Sequence, residues 1–199
     1  MMKKITCEQN DIYELMATTE VEKISPFIRI TNRGFATPDL SETDLDPREY
    51  DEILDDPKNL IVETIYDDND NVSRAYFYWR GNKYQFSVKK FANLMVKKCK
   101  ALKDFTDFTT DENVYTYVKT CLIATTLKAG LLLNELDDIA PESMFPLHIS
   151  DDRVDIIQDN GVTWQASETD SNHTYATTPT ETRIYNVDPI MIPMISALV

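Results

Sequence analysis

Residues 60–88 read LIVETIYDDNDNVSRAYFYWRGNKYQFSV, and the alternation within them decides the fold class. Leu60, Val62, Thr64 and Tyr66 fall on one side of an extended chain, because successive side chains of a strand point to opposite faces. Asp67 to Asn71 supplies a polar turn, after which Ala75, Phe77 and Trp79 alternate against Tyr76 and Tyr78. Arg80-Gly81-Asn82 makes a second turn, and Tyr84, Phe86 and Val88 alternate again. Three period-two runs joined by short turns specify an antiparallel meander. Both faces of the middle run are aromatic, so that strand is expected to be covered on both sides.

Helical patterns follow. Val88, Phe91, Met95, Cys99 and Leu102 share one side of a helix over about 88–103 with Ser87 as its cap. Lys89, Lys90, Lys97, Lys100 and Lys103 gather on the other side. Thr109 with Glu112 forms a capping box for a longer helix reaching about Asp137. Val114, Val118, Cys121, Thr125, Leu132 and Leu136 trace one stripe of it, and Ile123, Leu127 and Leu131 line the far side. A helix apolar on nearly all sides is buried, centrally or between subunits. Upstream, residues 10–24 read as a short amphipathic helix, and Phe27 to Ile30 as a brief strand.

In the last third, Asn160-Gly161 between Arg153–Ile157 and Val162–Ala166 signals a separate hairpin. Residues 167–182, rich in Thr and Ser, read as a polar loop or extended arm. Residues 189–199 hold Ile190, Met191, Ile192, Met194, Ile195, Ala197, Leu198 and Val199 with no charge. Pro189 and Pro193 argue against a helix there, so an extended tail is expected, docked on a partner's sheet edge. The fold class is therefore α+β: a meander and a separate hairpin on two or three helices. A single domain spans 1–188, with an acidic loop at 39–58, the polar arm at 167–182 and the apolar tail at 189–199.

Chemistry is sparse. A chain of 199 residues can bury a real core, on the order of 70% of its unfolded surface. Only 4 Gly and 2 His leave little material for phosphate-binding loops or proton and metal chemistry. No nucleotide-loop, nucleophile-elbow or zincin motif occurs. Cys7, Cys99 and Cys121 are scattered, which argues against a disulfide framework or zinc site and for a reducing compartment. Asp67 to Asn71 imitates the start of a calcium loop, but Val72 and Tyr78 stand where its glycine and closing glutamate belong. Pro38-Asp39 and Asp56-Pro57-Lys58 imitate a nuclease set, with Pro57 breaking the strand such a set needs. An unfamiliar enzyme would require a pocket holding His148 or a buried acid pair; otherwise no enzyme and no cofactor are expected. The longest apolar stretch, Cys121 to Leu133, is shorter than the ~20 residues that cross a bilayer, and no membrane contact is expected.

Charge is the informative surplus. The net charge is −14, yet Asn71 to Lys103 carries nine Lys/Arg and no acid, leaving −23 elsewhere. From Asp39 to Asp56 the chain carries nine acids, among them Asp44, Asp46 and Asp51. The basic helix face, with Lys89, Lys90, Lys97 and Lys100, is suited to an acidic loop of another copy. A secondary reading places the lysines on phosphates with Tyr76, Tyr78 or Trp79 stacking on bases. A third has the two charge blocks neutralise one another within the chain. The tail residues Ile190, Ile192, Met194, Ile195 and Leu198 complete the expected partner contacts.

The composition, rich in Asp, Asn, Thr and Tyr and poor in Gly, resembles that of tailed-bacteriophage structural proteins such as head–tail connector or ring subunits. The resemblance implies a non-enzymatic assembly subunit, present in the host cytoplasm and the virion, with other subunits as partners. The alternative is an acidic module that imitates DNA through the 39–56 acids and blocks a nucleic-acid-binding protein.

Overall fold

The computed structural model describes residues 25–39, 46, 48, 60–79, 81–99, 110–128, 136, 137, 139, 156, 157, 162–166, 174–185 and 187–199. Two antiparallel four-stranded sheets and three helices make up the described elements. The first sheet has the order β1-β4-β3-β2, with β1 Ile28–Asn32, β2 Ile61–Tyr66, β3 Val72–Trp79 and β4 Asn82–Phe86. Its last three strands are the expected meander, in a register that opposes Val62 to Phe77 and Phe77 to Tyr84. The short Phe27–Ile30 run becomes edge strand β1, pairing Ile28 with Phe86.

Both turns form for the reasons their residues suggest. In the β2–β3 turn, Asp67 Oδ1 accepts the N–H groups of Asn69 (2.9 Å) and Asn71 (3.1 Å), and Asp70 adopts φ 57°. Asp and Asn tolerate that left-handed backbone, so the stretch is a hairpin turn. The β3–β4 turn places Gly81 at φ +74°, where a residue with a side chain would be strained.

The inner face of this sheet presents Ala75, Phe77, Tyr84, Phe86 and Ile28, all buried. Helix α1, Val88–Lys98, lays Val88, Phe91 and Met95 against it. The Phe91 ring is the hub, 5.4 Å from Phe27, 5.5 Å from Phe86 and 4.8 Å from Tyr117 of the next helix. Ser87 stands at the N-cap position without a side-chain hydrogen bond, and α1 ends at Lys98; Leu102 lies outside the described residues.

Helix α2, Asp111–Lys128, is the centre of the molecule, packing on α1, on β2 and on the C-terminal helix. Eleven of its residues are buried, on every side. Buried hydroxyls cost free energy unless they are bonded. Thr120, Thr125 and Thr126 satisfy this by donating to the carbonyls of Thr116, Cys121 and Leu122 one turn back. The cap is Thr110 rather than the expected Thr109. Its Oγ1 accepts the Asn113 N–H, the three-residue reach that places an N-cap.

The second sheet runs β5-β6-β7-β8, with β5 Ile156–Ile157, β6 Thr163–Ala166, β7 Thr174–Thr177 and β8 Thr182–Tyr185. β5 and β6 are the hairpin signalled by Asn160-Gly161. The polar-arm expectation is corrected here. Residues 174–177 form a strand with Thr174, Tyr175 and Ala176 buried, and 182 opens the next one. β-Branched Thr and aromatic Tyr favour a pleated surface although the segment is poor in aliphatics. Thr178 turns the chain between them by accepting the Glu181 N–H at 3.1 Å.

The extended, partner-bound tail is also corrected. Met191–Leu198 forms helix α3, packed on α2, with Met191, Ile192, Met194 and Ile195 buried in the chain's own core. Ile190 and Leu198 are partly buried against that core. Pro193 is the third helical residue, where the N–H that proline lacks would have had no intrahelical acceptor. Lys98 and Lys128 donate to the Ala197 and Leu198 carbonyls at the helix's far end. That is the favourable place for a cation. One continuous apolar cluster joins both sheets and all three helices.

Candidate docking faces

The basic block of the sequence is divided by the fold. Lys89, Lys90 and Lys97 are exposed on the side of α1 that points away from the first sheet, whereas Lys98 reaches the Ala197 carbonyl of α3. Phe91 and Met95 on the opposite side of the same helix meet the sheet's inner face, which sets this orientation. Lys100, Asp44 and Asp51 lie outside the described residues, as do His148, His173 and residues 10–24. Asp46 is exposed, and its Oδ1 accepts the Arg48 N–H at 2.9 Å.

The rest of the block occupies the other side of the sheet. Strand parity sends Arg74, Tyr76 and Tyr78 of β3 outward, with Lys83 and Gln85 of β4, Arg29 of β1, and Ile61, Glu63 and Ile65 of β2. Arg29, Thr31, Asn32, Glu63, Ile65, Arg74, Tyr76, Lys83 and Gln85 line a broad, open hollow of about 790 Å³. The expectation that β3 is covered on both sides holds at Tyr78, which is 6% exposed, and fails at Arg74 and Tyr76.

A small charge cluster organises this face. The Lys83 ammonium stands 4.4 Å from the centre of the Tyr76 ring and 5.0 Å from that of Tyr78. It also pairs with Glu63 Oε2 at 3.3 Å, and the Tyr78 hydroxyl donates to the same oxygen at 2.8 Å. Burial pushes the Tyr78 phenol up from its ordinary value. Burial also works against the Lys83 charge, but Tyr78 and Glu63 outweigh it and hold its pKa above the ordinary lysine value. Arg29 and Arg74 flank this cluster and are exposed.

One further feature escaped the sequence. At the β3–β4 end, the loop after β1 is pinned by two bonds, Gly34 N–H to Asn82 Oδ1 (2.8 Å) and Ala36 N–H to the Gly81 carbonyl (3.1 Å). Gly34 takes φ +85°, and the intervening Phe35 side chain is 100% exposed. A lone Phe between Gly and Ala has no periodic signal that would have singled it out.

The stacking platform expected for nucleic acid does not assemble. Trp79 is buried at 1% exposure and Tyr78 at 6%, so only Tyr76 of the three is accessible. That ring faces away from the α1 lysines. Cys99 and Cys121 are buried, and burial pushes the Cys121 thiol far above its ordinary pKa, which makes it inert as a nucleophile. Among the described residues no three His, Cys, Asp or Glu side chains converge as metal ligands. No described helix is long and apolar enough to cross a membrane. No family model matches the chain, and neither a curated protein nor a solved structure does, so the reading of these faces stands on their geometry alone.

Proposed function

We propose that the protein is a non-enzymatic assembly subunit of a multi-protein complex, joined to its neighbours through charge-matched faces. The observation that carries this reading is the outer side of α1. Lys89, Lys90 and Lys97 are exposed together on a chain whose net charge is −14. Clustered cations repel one another in the free subunit and gain from an acidic counterpart. The nine acids of residues 39–56 on a second copy, including Asp44, Asp46 and Asp51, are that counterpart. A head-to-tail pairing of this kind builds closed rings or chains of subunits, according to the rotation between copies. It accords with the compositional resemblance to connector and ring subunits of tailed phages.

Sedimentation velocity at low and high salt tests it. The wild type should associate at 0.05 M salt and dissociate near 1 M, where the screening length falls to about 3 Å. The triple variant Lys89→Glu, Lys90→Glu, Lys97→Glu should remain monomeric at both. Reversing Asp44, Asp46 and Asp51 to Lys in a second chain should restore association with that variant. A wild type that is monomeric at every salt concentration, alone and with co-expressed neighbours, overturns the reading.

A further inference from the structure

The outer face of the first sheet is a second polar surface, on the far side of the fold from the α1 lysines. Three cations, Arg29, Arg74 and Lys83, stand there against one acid, Glu63, with Gln85, Asn32 and Thr31 as uncharged hydrogen-bonding groups. Strand geometry spaces them. Arg74 and Tyr76 are about 7 Å apart along β3, and Arg29 lies about 10 Å across the sheet from Tyr76. The hollow is wide, open and polar, unlike the enclosed, mostly apolar cavities that hold small molecules. Phe35 lies three residues beyond Asn32, which lines the hollow, on the loop at the β3–β4 end of the sheet. Its loop is held by the Gly34 and Ala36 bonds, so seating this ring in a partner orders little additional backbone.

We propose that this face, with Phe35 as its apolar anchor, binds an extended acidic polypeptide segment of a partner protein. An extended segment laid across the strands presents carboxylates on one side, where Arg29 and Arg74, set on different strands, can each meet one. Carboxylates accept paired hydrogen bonds from the planar guanidinium groups of Arg29 and Arg74. A pinned, fully exposed aromatic is the kind of side chain that carries binding energy when a partner's pocket closes on it. A nucleic acid is the poorer occupant. A net charge of −14 repels a long polyanion, and of the described rings on this outer face only Tyr76, already under the Lys83 ammonium, is accessible. The surface stands independently of the lysine-face reading.

Fluorescence anisotropy with a labelled synthetic peptide tests the proposal. The probe carries this chain's own 39–56 sequence, which interleaves nine acids with Leu40, Leu45, Tyr50 and Ile53. A second probe replaces its acids by Asn and Gln, and a third is an oligothymidine of equal charge. All are added at 0.1 M salt to the full-length α1 triple variant, which lacks the lysine face that the assembly reading pairs with the same acids. The acidic peptide should bind, the neutral one at least tenfold more weakly. Arg29→Glu with Arg74→Glu should abolish binding, Phe35→Ala should weaken it about tenfold, and Arg29→Lys with Arg74→Lys should retain part of it. These side chains are exposed, so an unchanged circular dichroism spectrum will certify the fold. Peptide binding seen with the wild type but absent from the α1 variant would overturn this inference and leave the assembly reading standing. Stronger binding of oligothymidine, or no binding of any probe, would overturn it as well.

Discussion

Phe91 shows how one side chain can organise this core. It reaches rings from the loop before β1, from β4 and from α2, all within 5.5 Å. Truncating it removes packing from three elements at once, so Phe91→Ala should cost about 3–5 kcal/mol, measured as a fall in the urea midpoint. Asp67 is the opposite kind of residue, fully solvated yet committed to its turn. Backbone N–H groups of Asn69 and then Asn71 hold its pKa below the ordinary 3.8. A depressed carboxylate pKa contributes to folding fully above the unfolded value, and that contribution fades as pH falls through the folded one. The Asn69 and Asn71 amide resonances should therefore titrate together with a midpoint below 3.8, and Asp67→Asn should abolish that titration. An ordinary midpoint would mean that the turn does not hold its carboxylate. Much at this scale was legible: Phe91, Met95 and Tyr84 were placed by period alone. Phe35 was not, because its exposure comes from hydrogen bonds 45 to 48 residues distant in sequence.

Elements were legible where pattern and position agreed. The meander follows from alternation interrupted by turn residues, and α1 from a lysine side opposite an apolar one. Helix α3 was misread because proline was weighed as a breaker without regard to its place in the first turn. The arm was misread over 174–182 because aliphatic content was taken as the measure of a strand, whereas Thr and Tyr serve as well when the surface is covered. The energetic consequence for α3 is specific. Ile195, fully buried, should lose about 2–5 kcal/mol on replacement by Ala. Pro193→Ala should change stability by no more than about 1 kcal/mol. Thermal melts of the two variants check this; equal losses would mean that the helix does not begin where Pro193 places it.

For the whole molecule, the fold converts one basic run of sequence into two separated surfaces. The lysines of α1 face one way, and Arg29, Arg74 and Lys83 face the other, with the sheet and its aromatic layer between. Sequence position alone could not separate them, because Arg74 and Lys83 adjoin the α1 lysines along the chain, and Arg29 comes from another strand. On the proposed reading, a chain with two such faces holds two neighbours at once. The charge-reversal experiments on each face should therefore act independently, each leaving the other contact intact. That independence is expected of surfaces with no shared residues.

Helix α2 sets a last condition on this arrangement. Buried from Thr120 to Leu127, it turns its threonine hydroxyls back on its own carbonyls. If this rod is withdrawn, the first sheet, α1 and α3 all lose a packing partner, and both faces are carried by α1 and the first sheet, so neither face is inherited without the other. A lineage that dispensed with either contact would still have to carry the entire scaffold.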